Sequence, residues 1–269
     1  MALTPLQSKV LRLLAENRRK TPGSYVAGGT AFNLAMNAPR LSRDVDVFHD
    51  STEAMFDSWR RDRQTLEANG FDVRPLRELP TFIEARIVHA EGTTEIQWGI
   101  DSAYRFFPLV EREDTGFTLH PLDLAANKLA ALVGRTEPRD WIDVITASKR
   151  LQPFACLLSA ACGKDPGFSP ISMLEYVARR HYNQTELDDN IMPRGIFDAA
   201  ELCRYWHGMI ERTKRVLEVF PHAEAGKTVM TAAGELFNGT DDELVAALKA
   251  GSLMFHEGHI GGAWPRIIR

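Results

Sequence analysis

The sequence predicts an α+β fold in which a small mixed sheet with its own helices, over residues 1–118, precedes a helical domain over 119–269. Three observations predict it. Short β-branched and aromatic runs at 24–28 and 44–48 bracket a glycine turn and a short helical stretch. Two further strand-like runs, 81–89 and 93–99, are joined by the turn Ala90-Glu91-Gly92. Past the polar run 111–116, which marks the expected domain boundary, the apolar residues recur at helical spacing.

Thr4-Pro5 is a helix start, followed by Leu6, Val10, Leu13 and Leu14 on one face. After the strand at 24–28, the glycines of Gly28-Gly29-Thr30 let the backbone turn sharply and approach a ligand. Thr30 is expected to cap the helix 31–36, whose first N–H groups and hydroxyl would then form an anion site fit for a triphosphate. The chain passes Pro39, Arg40, Ser42 and Arg43 and enters the strand 44–48. Residues two apart on a strand share a face, so Asp44 and Asp46 point together as oxygen ligands for Mg²⁺, while Val45 and Val47 enter the core. Residues 52–69 are expected to be helix and 71–73 a short strand.

In the second half, Lys128 lies in the nearly apolar run 122–133, with Leu124, Ala125, Ala131 and Leu132 as its helical neighbours. An ammonium there must meet a carboxylate or a substrate phosphate. Asp140 is the expected carboxylate, in the first turn of a helix that Thr136-Glu137-Pro138 opens and caps, with Asp143 one turn later. Glycine and proline punctuate a loop at 163–170.

Thirteen residues (31 to 43) separate Thr30 from Asp44. With that gap, Gly28-Gly29-Thr30 and Asp44-Val45-Asp46 resemble the G-[ST]-x-D-x-D signature of the polymerase-β-like nucleotidyltransferase superfamily. The fuller runs A-G-G-T-A-F-N-L and R-L-S-R-D-V-D-V-F are similar to the AbiEii/AbiGii-type nucleotidyltransferase toxins. The segment from Asp123 through Lys128, Arg135, Arg139, Asp140 and Asp143 resembles that family's D-x-x-x-x-K-x-x-A motif with its following R and R-D-x-x-D.

The resemblance implies a polymerase-β-like domain, Mg²⁺ or Mn²⁺ on Asp44 and Asp46, and an NTP on Gly28, Gly29, Thr30, Arg40, Ser42 and Lys128. Asp44, Asp46, Lys128 and Asp140 would be the catalytic residues, in an active site between the two domains. It also implies a toxin acting on tRNA or another RNA, with a cognate antitoxin. Alternatives are a small-molecule, antibiotic-type nucleotidyltransferase and a nucleotide-binding scaffold without catalysis. One departure bears on that choice. The strand expected to carry a third carboxylate has Gln97 near its middle, which leaves the general base open between Glu95, Asp101 and Asp140.

Composition bounds the rest. With 269 residues, 44% hydrophobic and 25% charged, the chain can bury an adequate core. No run approaches a membrane span and no leader pattern opens the chain, so a cytoplasmic location without membrane contact is expected. Three scattered cysteines suit neither a disulfide framework nor a metal site. A net charge of −4 argues against a globally basic nucleic-acid binder, although the patches 60–63, 179–180 and 212–215 could each track a phosphate backbone. Gly226-Lys227-Thr228 lacks the rest of a P-loop, and His256 and His259 lack the spacing of a zinc helix.

Overall fold

The helix predicted at Thr4-Pro5 forms as α1 (Pro5–Lys20), closed by a capping box in which Thr4 and Gln7 each accept the other's backbone N–H. The structure, a computed structural model, describes residues 3–265. It divides into two compact units. One runs to Ala103 and includes Phe107–His120; the other takes Tyr104–Phe106 and everything from Pro121 onward.

In the first unit, α1 is followed by β1 (Ser24–Val26), α2 (Gly28–Met36), β2 (Asp44–His49), α3 (Thr52–Ala68), β3 (Asp72–Leu79), β4 (Phe82–His89) and β5 (Gly92–Ile100). The two-residue β6 (Tyr104–Arg105) belongs to the other unit, and β7 (Val110–Arg112) and β8 (Gly116–Thr118) complete this one. Seven strands form one mixed sheet in the order β3-β4-β5-β2-β1-β8-β7. The pairs β2/β5 and β1/β8 are parallel and the others antiparallel.

Strict alternation gives the sheet two different faces. Val45, Val47, Ile83, Ala85, Ile87, Ile96 and Trp98 are buried on one, each stabilising the fold by roughly 1.5–3 kcal/mol when large and fully enclosed. Asp44, Asp46, Glu84, Glu95 and Gln97 stand half-buried on the other. Helices α1 and α3 pack against the apolar face, with Trp59 edge-on to Trp98 at 4.8 Å between ring centroids. Between them lies a buried polar knot around Asp62. Its carboxylate accepts two hydrogen bonds from the Arg18 guanidinium, one from Asn17 Nδ2 at 3.0 Å and one from Trp98 Nε1 at 2.8 Å.

Three elements differ from expectation. Helix α2 starts at Gly28, so Thr30 lies inside the first turn and the residue flanking the helix is Ala27, with no side-chain cap. The strand expected at 71–73 extends to Leu79. Its Pro75 and polar residues carry no strand signal, but β3 is an edge strand, where pairing with β4 alone holds it and a register shift accommodates the proline. The polar run 111–116 forms the hairpin between β7 and β8.

The second unit contains α4 (Pro121–Gly134), α5 (Pro138–Arg150), α6 (Phe154–Lys164), α7 (Pro170–Ala178), α8 (Gln184–Asn190), α9 (Ala199–Leu217), β9 (Thr228–Thr231), α10 (Asp241–Ala250), β10 (Leu253–His256) and β11 (His259–Ile260). Trp206 is its apolar centre, with Trp141 at 5.8 Å and Phe154 at 5.6 Å between centroids. Beside these helices stand two short strand pairs that the sequence does not announce, β9 with β10 and β6 with β11. These strands are two to four residues long and pair with distant segments, so local periodicity does not reveal them. Among the described residues, no helix is long and apolar enough to cross a membrane.

His49 ends β2 on the apolar face, fully buried, with Nδ1 donating to the Gly99 carbonyl at 3.0 Å. Burial pushes its imidazole down to about 4. Below an ordinary histidine pKa of about 6.5 the unfolded chain takes up a proton that the native state excludes, so stability is full above that pH and is lost as pH falls towards 4. About 2 kcal/mol should disappear between pH 7 and pH 5 in urea unfolding, and His49→Gln should flatten that difference.

Candidate active site

Gly28 is the pivot of the first cluster. Its φ is +59°, and a Cβ placed on it would overlap the carboxylate of Asp46. Only glycine satisfies both conditions. At Gly29, which has an ordinary φ, a Cβ would meet Ser42 Oγ at 2.9 Å and Arg40 Nη2 at 3.2 Å. The start of α2 therefore lies hard against Asp46, Ser42 and Arg40. The helix has no side-chain cap, its first N–H groups lack helical acceptors, and the Arg40 residue beside it is 2% exposed. A helix start of this kind beside an arginine favours an anion.

Thr30 acts differently from the expected cap. It is buried, and its hydroxyl donates to the Asp44 carbonyl at 2.8 Å. Gln7 Nε2 donates to the Ser42 carbonyl at 3.1 Å, and Asn33 Nδ2 to the Arg40 carbonyl at 3.1 Å. The Ala27 N–H reaches the Asp46 carbonyl at 3.0 Å. These bonds fix the loop 37–43 and the start of β2 to the helix that carries the glycines.

Sheet register arranges the acids in rows. Asp46 is opposite Gln97, which is opposite Glu84; Asp44 is opposite Glu95, which is opposite Arg86. Gln97 Nε2 donates to Glu84 Oε1 at 3.0 Å. Glu95 is engaged by Arg86 at 2.8 Å, and Asp101 accepts the Ser102 N–H at 2.8 Å. Glu84 is thus a candidate acid that sequence analysis missed. The only signal was its place in the alternating strand 82–89, and nothing local tied that strand to Asp46. Among the described residues no group of three or more His, Cys, Asp and Glu forms a ready metal cage. Two carboxylates on one face nonetheless suit Mg²⁺, which takes one or two protein carboxylates and completes its shell with water and substrate phosphates.

A second cluster lies in the other unit. Lys128 on α4 is buried, with Nζ 3.1 Å from Asp140 Oδ1 and 2.9 Å from Asp143 Oδ2 on α5. Arg135 Nε reaches Asp140 Oδ2 at 2.7 Å. Burial raises the Asp140 pKa, but the charges of Lys128 and Arg135 and their hydrogen bonds outweigh it and hold the carboxyl below the usual range. The helix carrying these acids begins after Glu137, without the side-chain cap expected from Thr136. Arg139 lies 3.7 Å from Glu137. Asp123 is a tether rather than a site residue: it accepts the Phe106 N–H at 3.0 Å and pairs with Lys164 at 2.9 Å.

A family model described as the nucleotidyl transferase AbiEii toxin of type IV toxin–antitoxin systems matches residues 12–165, more than half of the chain. The chain belongs to this family. It is accordingly a toxin nucleotidyltransferase, and both clusters fall inside the matched segment. The fold is similar to that of JHP933 from Helicobacter pylori (TM-score 0.56, 18% identity, 80% of this chain and 95% of that one). It is also similar to a second H. pylori protein titled a nucleotidyltransferase (TM-score 0.52, 18% identity, 81% and 97%). MenT4, a nucleotidyltransferase toxin of Mycobacterium tuberculosis, aligns with a TM-score of 0.50 at 17% identity, over 78% of this chain and 84% of that one. No curated protein matches the sequence. At these identities the structural likenesses carry the fold, and the AbiEii assignment rests on the family match.

For this AbiEii member the Lys128 cluster makes a stability prediction. Lys128→Met would take the shared ammonium away from buried Asp140 and Asp143, so unfolding free energy should fall by about 3–5 kcal/mol in a urea titration. Adding Asp143→Asn should recover part of the loss. An unchanged midpoint for the single variant would mean that the lysine is not held by these acids.

Proposed function

We propose that this nucleotidyltransferase moves a nucleoside monophosphate from an NTP to a hydroxyl of an RNA acceptor, with tRNA the leading one, and that a cognate antitoxin restrains it. The observation that carries the site assignment is the contact of the uncapped Gly28-Gly29 helix start with Asp46, Arg40 and Ser42.

The triphosphate lies along the first turn of α2, where backbone N–H groups and Arg40 meet its oxygens. Asp44 and Asp46 hold Mg²⁺ or Mn²⁺, which when bound neutralises charge on the phosphates and the departing pyrophosphate. The acceptor oxygen attacks the α-phosphorus in line, a new P–O bond forms, the bond to the β-phosphate oxygen breaks, and pyrophosphate leaves. Glu84, steadied by the Gln97 amide, takes the proton of the attacking hydroxyl. Two of the three Lys128 donors are committed to Asp140 and Asp143, which makes Asp140 a positioning residue for that lysine.

Asp44→Asn and Asp46→Asn keep shape and remove charge. Each should lower transfer of label from an α-labelled NTP by at least about 10²-fold, for a loss of several kcal/mol of charge stabilisation, with the melting temperature little changed. Chelation should abolish transfer by the parent protein and added Mg²⁺ or Mn²⁺ restore it. Near-normal transfer by both variants would sink the metal-site assignment.

Glu84→Gln tests the base. Transfer should drop by roughly 10²–10⁴-fold and lose its acid limb in a pH–rate profile, while NTP binding persists. An unaltered profile would return the role to another group.

A further inference from the structure

The basic run 212–215, read from sequence as one of several possible phosphate-tracking patches, resolves into two kinds of residue. Lys214 pairs with Glu211 at 2.6 Å, Thr213 is buried and Arg215 is exposed, and none of the three lines the cavity that takes Arg212. Arg212 instead lines a cavity of about 340 Å³ in the second unit, together with Lys149, Arg150, Tyr205, Thr240 and Asp241. Three cations face one carboxylate there, in a chain whose net charge is −4.

The cavity is organised around one ring. Lys149 Nζ lies 4.1 Å and Arg212 Cζ 5.9 Å from the centroid of Tyr205, whose hydroxyl is 3.2 Å from Ser148 Oγ. Arg212 is oriented through its Nε, which donates to Asp241 at 2.9 Å. Its Nη groups are then available for a phosphate fork. Helix α10 adds little, because Thr240 and Glu243 already satisfy its start with a capping box. Cations in the last turn of a helix favour its carbonyl end, which accounts for Lys149 and Arg150 on α5 without any ligand. It does not account for Arg212, which α9 places two turns beyond its own Tyr205 and which shares that ring with Lys149 of α5.

We infer that this cavity is a phosphodiester subsite for the single-stranded end of the RNA acceptor, with Tyr205 as a platform for a base. The inference rests on the RNA acceptor proposed above and names where its backbone is held. Guanidinium and ammonium groups around an aromatic face are what sequence-tolerant single-strand binding uses. Asp241 disfavours the dense charge of a triphosphate and accepts the single charge of a phosphodiester. The site draws on residues 205–241, beyond the family-matched segment.

The test uses the full chain, a 5′-fluorescein single-stranded RNA of about twelve nucleotides and anisotropy between about 50 and 200 mM salt. Lys149→Gln with Arg150→Gln should weaken RNA binding at least about tenfold. It should also reduce the slope of log K against log salt by about 1.4, at roughly 0.7 per lost phosphate contact on a single strand. Tyr205→Leu should weaken binding with little change in slope. NTP affinity should stay at the parent value, and the melting temperature should fall only by the few degrees that losing two cations from the end of α5 costs. RNA affinity and slope equal to the parent's in the double variant would overturn the subsite. So would a parent protein that binds no RNA while transferring to a small hydroxyl compound, an outcome that leaves Asp44 and Asp46 standing. Conversely, full transfer by the Asp44→Asn variant with RNA binding still lost in the double variant would fell the catalytic reading and support the subsite.

Discussion

The carboxylate of Asp62 is the constraint on which the first unit turns. Two buried charges, Arg18 from α1 and Asp62 from α3, are tolerable only because each satisfies the other, and Asn17 and Trp98 complete the oxygens. One side chain thereby joins both covering helices to a central strand of the sheet. Such a pair adds little net stability over well-packed apolar residues, but losing one partner strands a buried charge and costs several kcal/mol. Its effect is on geometry: α1 and α3 are held to the apolar face, which leaves the opposite face of β2, β4 and β5 to carry Asp44, Asp46, Glu84 and Gln97.

That division explains how one sheet serves both stability and chemistry. Val45 and Val47 anchor β2 in the core, and the residues between them have no choice of direction. A register slip of one residue would bury both aspartates and expose both valines. The glycines of α2 work on the same principle, since missing side chains let a backbone turn lie against Asp46. The Lys128 cluster shows a different economy. There a buried ammonium is shared by two carboxylates, and Arg135, more than half exposed, engages the second oxygen of Asp140.

The sequence by itself determined whatever depends on near neighbours. The start of α1 follows from Thr4-Pro5, the shared face of Asp44 and Asp46 from a spacing of two, and the need of Lys128 for a carboxylate or a phosphate, with Asp140 the expected carboxylate, from the cost of a lone charge on an apolar helix. The glycine turn was legible because φ > 0 and close approach both exclude a side chain. Even there the local signal misled on one point, as Thr30 resembles a cap but lies inside the turn, where its hydroxyl finds the Asp44 carbonyl.

Tertiary structure decided what depends on partners distant in the chain. Glu84 gains its place only because β4 pairs with β5 and β5 with β2, so that its row ends at Asp46. Glu95, equally acidic, is taken by Arg86 through the same ladder. The strands β6, β9, β10 and β11 are too short to have a period and exist through their pairing. Arg212, one of four residues in a basic-looking run, is singled out by Tyr205 two turns earlier on its own helix and by Asp241 of α10. In each case the deciding contact is set by strand pairing or by another element, and the periodicity of near neighbours carries no trace of it.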